Sequence, residues 1–93
     1  MDVEEIARLA VPVLKRYGVR RAGVFGSFAR GEGGEGSDVD VLVEFEPGRG
    51  LLDLVGLKIE LEEVLGRRVD VLTYGSLHPL LRNRVLREER RIL

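Results

Sequence analysis

Asp38 and Asp40 are two carboxylates separated by one residue at the start of the strand-like run 39–45. Side chains two residues apart in a strand point to the same face, so both carboxylates lie within a few ångströms of each other. Like charges so placed repel unless a cation lies between them or one is protonated. A hard divalent cation with oxygen ligands, above all Mg²⁺, resolves the repulsion. The pair predicts a metal site, although Asp38 alone would also suit the entry to a strand.

Asp70 is a third carboxylate in a strand-like setting, flanked by Val69 and Val71. Its alternatives are a solvated strand position or an ion pair with Arg67 or Arg68. If an adjacent strand brings Asp70 beside the first pair, three carboxylates could hold two Mg²⁺ ions. Phosphoryl and nucleotidyl transfer use this arrangement, because the metals neutralise the triphosphate, activate the attacking hydroxyl and stabilise the leaving pyrophosphate.

Gly26 and Ser27 form a small-residue turn directly after the apolar run 23–25. Glycine lets an anion approach the backbone, and serine offers a hydroxyl and an N–H group. A plain helix N-cap is the alternative role of Ser27. Arg30, one short helical turn later, would face the same side and could bind a phosphate through two hydrogen bonds, or it is simply a surface arginine. These residues predict a phosphate-binding turn.

Two further patterns are interpreted as structural. The stretch 31–36 matches G-x-G-x-x-G, but it precedes a strand, and its two glutamates would repel a pyrophosphate. We interpret it as a loop beside the site, and a role as a lid over the site is the alternative. His78, the only histidine, precedes Pro79 at a predicted helix start, which favours a cap or surface position. Nothing supplies a Ser-His-Asp triad around Ser27.

Composition excludes several classes of function. The 93 residues carry 15 basic and 16 acidic side chains, so no global charge favours nucleic acid or a membrane as partner. The absence of cysteine excludes disulfides, thiolate zinc sites and a cysteine nucleophile. Without a membrane-length apolar run or a signal-peptide core, we expect a cytoplasmic protein. A basic last helix predicts a solvated face, with RNA or partner contact as the alternative; its arginines are Arg82, Arg84, Arg87, Arg90 and Arg91.

Helices and strands that alternate along the chain must position these residues. Apolar spacing predicts a first helix over 3–17, with Asp2 as its N-cap, Gly18 as its stop and a kink or restart at Pro12. Helices packed on one three-stranded mixed sheet give a two-layer α/β fold, and we expect a single domain over 1–93. The other predicted elements are strands over 20–25, 39–45 and 68–73, a helical turn over 27–30, and helices over 52–65 and from Pro79 to about Arg90.

The last two predicted helices have apolar stripes that should face the sheet. Gly66 is the expected terminator of the first of these helices. Its stripe comprises Leu54, Leu57, Leu61, Val64 and Leu65, and that of the final helix comprises Leu81, Val85 and Leu86.

Gly26-Ser27, ten intervening residues and Asp38-x-Asp40 together resemble the signature of the minimal nucleotidyltransferases. These are small members of the DNA polymerase β-like nucleotidyltransferase superfamily. The stretch 25–32, FGSFARGE, resembles the extended form of that signature, and 69–72 resembles its third-carboxylate strand. The resemblance implies a polymerase β-like core fold that binds ATP and Mg²⁺. The implied metal ligands are Asp38, Asp40 and Asp70, with Asp70 also activating the acceptor hydroxyl, and the implied phosphate ligands are Gly26, Ser27 and Arg30.

Members of this family commonly act as antitoxins beside a helical HEPN-domain ribonuclease toxin, and they are similar to enzymes that transfer AMP to a toxin tyrosine. The resemblance therefore implies an Mg²⁺-dependent adenylyltransferase with a partner protein as acceptor. The absence of a second domain disfavours an antibiotic or a polymer end as acceptor. A non-catalytic antitoxin that masks its partner by contact is the alternative, and an RNA-associated module is a third hypothesis that near-neutral charge disfavours. Homo-oligomer and hetero-complex both stay open.

Overall fold

A computed structural model describes all residues from Met1 to Leu93. The order of elements agrees with the sequence-based prediction and adds one short strand at the end. In chain order the elements are α1 (Val3–Arg16), β1 (Val19–Phe25), α2 (Gly26–Ala29), β2 (Val39–Phe45), α3 (Leu51–Leu65), β3 (Val69–Thr73), a 3₁₀ turn (Tyr74–Ser76), α4 (Pro79–Glu88) and β4 (Arg90–Arg91).

The sheet is mixed and has four strands in the order β3-β2-β1-β4. Strand β1 is antiparallel to both β2 and β4, whereas β2 and β3 run parallel. The prediction of three strands is therefore wrong by one. The last helix ends at Glu88 rather than near Arg90, because the chain turns extended at Glu89 and the next two residues pair with Gly23 and Val24 of β1. This pairing covers part of an edge that would otherwise leave backbone groups unpaired.

The ends of α1 and α3 follow their capping residues. Asp2 accepts a hydrogen bond from the Glu5 amide at 2.9 Å, as predicted for an N-cap. Gly18 and Gly66 take left-handed conformations, with φ of 75° and 67°, directly after the two helices. Helix α1 continues through Pro12 rather than restarting there.

The core lies between one face of the sheet and helices α1 and α3. Val39, Val41 and Val43, alternate residues of β2, are fully buried against these helices, which confirms the two-layer arrangement. Two details of the predicted apolar stripes are wrong. Val64 is 39% exposed, and α4 contributes no buried residue, with Leu81 53% exposed. The helical residues that line the core include Ile6, Ala10, Val13 and Leu14 of α1 and Leu57, Leu61 and Leu65 of α3.

No helix is both long and apolar enough to cross a membrane.

Candidate active site

Asp40 and Asp70 lie opposite each other on the neighbouring parallel strands β2 and β3. On β2, the residues on either side of Asp40 are Val39 and Val41, which belong to the core. Because strand side chains alternate between faces, Asp40 points away from α1 and α3, and Asp38 continues the same alternation just before the strand. The structure therefore places Asp70 beside Asp40, one member of the first carboxylate pair, as expected.

Several effects together raise the pKa of Asp40 to about 6. The largest is burial, followed by the negative charge of Asp70, a hydrogen bond between the two side chains and the charge of Asp38, whereas the positive charge of Arg30 acts in the opposite direction. None of the three aspartates forms a salt bridge. Below about pH 6 a proton on Asp40 therefore relieves the repulsion, whereas at neutral pH the pair stays charged unless a cation binds.

The donor set of these aspartates suits a hard divalent cation. Carboxylate oxygens that face one another without a basic partner are the ligands that Mg²⁺ prefers. The three side chains nevertheless do not form a closed cluster, since no group of three or more potential ligands is gathered closely enough to hold a metal ion. The facing pair Asp40 and Asp70 is the part of the predicted metal site that the fold assembles.

The Gly26-Ser27 turn begins α2 directly beside this pair. Gly26 has a left-handed φ of 72°, and a Cβ at this position would collide with the carboxylate of Asp40. Glycine is therefore required here on two grounds, conformation and space. Phe25 is the N-cap, so the alternative role of Ser27 as a helix cap is wrong, and the helical turn begins one residue earlier than predicted.

Arg30 follows this turn and forms two ion pairs. Its Nε atom donates to Glu32 Oε1 at 3.0 Å, and its Nη1 atom donates to Glu88 Oε1 at 2.9 Å. The backbone N–H of Gly26 donates to the same Glu88 oxygen at 3.1 Å. The predicted phosphate ligands Gly26 and Arg30 therefore converge on one point, and a carboxylate oxygen occupies it.

Glu88 is a functional contact that the sequence analysis does not identify, because its partners Gly26 and Arg30 lie far away along the chain. One signal was available. Glu88 is the last residue of α4, and a negative charge at a helix C-terminus is disfavoured by the helix dipole. Such a position indicates a compensating partner elsewhere in the fold.

The glycine-rich loop 31–37 lies beside the carboxylates and is fastened by Arg67. The guanidinium of Arg67 donates to the Gly34 carbonyl at 3.1 Å and lies over the Phe28 ring. Asp70 has no ion pair with Arg67 or Arg68, so that alternative is not observed. Beneath the loop is an open cavity of about 390 Å³, lined by Gly36, Ser37, Asp38, Gly66, Arg67 and Arg68.

His78 takes no part in this site. Its Nδ1 atom accepts a hydrogen bond from the Leu80 amide at 3.1 Å at the start of α4. The predicted role as a helix cap is confirmed.

The mixed sheet, its facing carboxylates and the adjacent Gly-Ser turn define the polymerase β-like class of nucleotidyltransferase folds. Comparison with known proteins agrees. The chain belongs to the nucleotidyltransferase domain family, whose model matches residues 6–93.

Two curated relatives are named for protein adenylylation. A "Putative protein adenylyltransferase" of Methanocaldococcus jannaschii is 60% identical over 88 residues, which cover 95% of each chain. The "Protein adenylyltransferase MntA" of Thermococcus cleftensis is 50% identical over 74 residues, covering 80% of this chain and 75% of the relative. The chain is therefore a nucleotidyltransferase by family.

Solved structures share the fold. One described as a "putative minimal nucleotidyltransferase" is 47% identical, with a TM-score of 0.83 and coverage of 97% of this chain and 95% of the other. Another, from a complex of a tri-AMPylated Shewanella oneidensis HEPN toxin with an MNT antitoxin, has a TM-score of 0.74 and covers 97% of this chain and 71% of the other. At 16% identity, that second likeness shows the fold alone.

Proposed function

We propose that this protein transfers AMP from ATP to a hydroxyl group of a partner protein, with a tyrosine of a HEPN-type ribonuclease toxin as the acceptor. The observation that carries the proposal is the facing pair Asp40 and Asp70 directly beside the Gly26 turn. A binding module that acts by contact alone has no need for a carboxylate pair that repels itself.

Two Mg²⁺ ions, when bound, would neutralise the triphosphate and lower the pKa of the attacking hydroxyl. Within the chain, Asp38 and Asp40 are the proposed metal ligands at the start of β2. Asp70 is exposed, so an acceptor hydroxyl can reach it from solvent. Its carboxylate completes the ligand set and is the group that takes up the proton of the hydroxyl.

The transfer consumes only ATP and the acceptor hydroxyl, whose proton passes to Asp70. The acceptor oxygen forms a bond to the α-phosphorus of ATP, and the bond from that phosphorus to the β-phosphate oxygen breaks. Pyrophosphate leaves. Gly26, Ser27 and Arg30 are the proposed ligands of the β- and γ-phosphates, because the Gly26 amide and the Arg30 guanidinium already point at one anionic oxygen.

A partner protein as acceptor is supported by the relatives rather than by the site. Both curated relatives are named as protein adenylyltransferases, and the Shewanella oneidensis complex pairs an MNT antitoxin with an AMPylated HEPN toxin. The nucleotidyl-transfer chemistry and the identity of the acceptor are therefore separate parts of the proposal.

Mass spectrometry of the partner tests the proposal. The protein is incubated with a candidate HEPN-domain partner, ATP and Mg²⁺; the partner is weighed intact by mass spectrometry, and its peptides are then mapped. We expect one or more AMP additions on tyrosine that require Mg²⁺ and vanish in the double variant Asp38→Ala, Asp40→Ala. An unmodified partner, or an adduct that the double variant still makes, would overturn the enzymatic function.

The alternative is an antitoxin that masks its partner by contact without chemistry. Large apolar side chains outside the core favour it, since Leu52 and Leu80 are 87% and 86% exposed. Inhibition of the partner in the absence of ATP, unchanged by the double aspartate variant, would support this alternative.

A further inference from the structure

We infer that Glu88 is an internal competitor of the nucleotide, whose carboxylate holds the phosphate position of the site until ATP displaces it. The inference rests on the proposed function and adds a regulation of the same site. Two of the three proposed phosphate ligands, Gly26 and Arg30, are satisfied by the chain itself in the free protein, and nucleotide binding has to exchange one anion for another.

The Glu88 carboxylate occupies the position that the proposed function assigns to a phosphate. A single atom, Glu88 Oε1, accepts from the Gly26 amide at 3.1 Å and from Arg30 Nη1 at 2.9 Å. These are the donors that the proposed function assigns to phosphate oxygens. Because both converge on one oxygen, a phosphate oxygen that uses the same two donors cannot be present together with Glu88.

Electrostatics makes the exclusion stronger. The Glu88 side chain is 19% exposed, and a triphosphate bound beside it would bring further negative charge to a poorly solvated carboxylate. Asp40, Asp70 and Asp38 already make this end of the sheet acidic. Glu88 therefore adds repulsion as well as occupying the donors.

The position of Glu88 on α4 makes its release feasible. Helix α4 buries no residue of its own, so its last turn can shift without opening the core between α1 and α3. A carboxylate at a helix C-terminus is also opposed by the helix dipole, so the Gly26 and Arg30 contacts are what retain it. Two polar contacts hold α4 and the residue after it in place while the Glu88 side chain moves: Arg82 donates to the Tyr74 carbonyl, and the Tyr74 hydroxyl donates to Glu89.

Glu32 provides a matched control. It also pairs with Arg30, through Nε at 3.0 Å, but it is not a partner of the Gly26 amide, and its side chain is 64% exposed. Glu88→Gln and Glu32→Gln each remove one negative charge that pairs with Arg30. Competition at the phosphate position predicts a large effect on nucleotide binding for the first variant and a small one for the second.

Calorimetric titration with Mg²⁺ and ATP, without partner protein, measures that difference. Glu88→Gln should tighten ATP binding by on the order of tenfold, the size expected for a lost charge-assisted hydrogen bond, and Glu88→Ala should do so at least as strongly. Glu32→Gln should change it by less than about threefold, as for a solvated surface pair. Tripolyphosphate should reproduce the pattern, because the competition concerns phosphates rather than the base. Equal or weaker ATP binding by both Glu88 variants would overturn the inference.

An amide-resolved NMR titration of the unmutated protein tests the exchange without any variant. ATP with Mg²⁺ should shift the Gly26 amide signal and lower hydrogen-exchange protection in the last turn of α4, while α1 and α3 stay protected. Loss of the Gly26–Glu88 contact without added protection in α4 supports the inference, and an α4 that becomes more protected with ATP contradicts it.

Absence of ATP binding in every form of the protein would overturn the proposed function and this inference together, whereas ATP binding that Glu88 does not weaken overturns the inference alone.

Discussion

The two faces of the sheet are stabilised in different ways. On the face covered by α1 and α3, Val39, Val41 and Val43 are fully buried, and no charge intervenes. On the opposite face the same strand places Asp40 beside Asp70, with Leu42 as its one fully buried apolar residue, and helix α4 contributes no fully buried residue. Apolar burial stabilises the first face, whereas the second keeps a pair of carboxylates that destabilises the fold. The difference indicates that the first face contributes most of the core, whereas the end of the second face that holds Asp40 and Asp70 is available for binding and chemistry.

The largest expected effect on stability belongs to the covered face. Leu61 is fully buried in α3 against the sheet. Leu61→Ala should lower the free energy of unfolding by about 2–5 kcal/mol, because it removes apolar contact and leaves a cavity. Urea unfolding followed by circular dichroism measures the loss.

Ile59 serves as its control on the same helix, since it is 52% exposed. Ile59→Ala should change the free energy of unfolding by less than about 1 kcal/mol. Similar losses for the two variants would mean that the exposed side of α3 is packed in solution. Burial against the sheet would then not explain the stability that α3 provides.

The largest expected effect on activity belongs to the open face. Asp40→Asn keeps the size of the side chain but removes a proposed metal ligand at the centre of the carboxylate pair. AMP transfer to the partner should fall by a factor on the order of 10²–10³, as when one electrostatic contact to a transition state is lost. The initial rate of AMP incorporation at saturating Mg²⁺ is the measurement. Full activity of Asp40→Asn would remove Asp40 from the catalytic site.

The same substitution should stabilise the protein at neutral pH. The pKa of Asp40 is raised from 3.8 to about 6, so between these values the folded state keeps a proton that the unfolded state has lost. Stability from this group is complete below about pH 4 and falls as the pH rises to about 6. Asp40→Asn avoids the loss, and above pH 6 it should gain about 1–2 kcal/mol over the unmutated protein, because solvent screening at this half-buried site weakens the repulsion.

Urea titrations at pH 4 and pH 7.5 check the direction of this effect. The advantage of the variant should be small at pH 4 and reach its full size at pH 7.5. Mg²⁺ should narrow the gap at pH 7.5, because a bound cation relieves the repulsion in the unmutated protein only. An advantage that is larger at pH 4 would contradict the assigned cause.

The contrast between faces also explains how much the sequence could predict. The spacing of apolar residues in α1, α3 and β2 is periodic, so their bounds were predicted within one residue at most ends. Asp40 and Asp70 were found because their valine neighbours identify the strands. Strand β4 has two residues and no period that a sequence can show. The Glu88 contact joins residues 62 positions apart, and no local pattern encodes such a pair.

The smallest expected effect compares two tyrosines that make the same contact on different faces. Tyr74 donates its hydroxyl hydrogen bond to Glu89 beneath α4, and Tyr17 donates to Glu60 Oε1 at 2.9 Å between α1 and α3. Replacing either tyrosine by phenylalanine should cost about 0.5–1.5 kcal/mol of unfolding free energy, the usual value for one hydrogen bond whose partner stays solvated. Hydrogen exchange should separate the two variants.

Tyr74→Phe should lower protection in α4 and β4 and leave α1 and α3 unchanged, because α4 contributes no fully buried residue and can open by itself. Tyr17→Phe should show no such local opening, since α1 and α3 also share the buried core to which Leu14 and Leu61 belong, and any loss should appear as global unfolding. If Tyr74→Phe also releases α1 and α3, the two faces unfold as one unit. Glu88 could then leave the Gly26 amide only at the expense of the core, and ATP binding would be coupled to the stability of the whole fold.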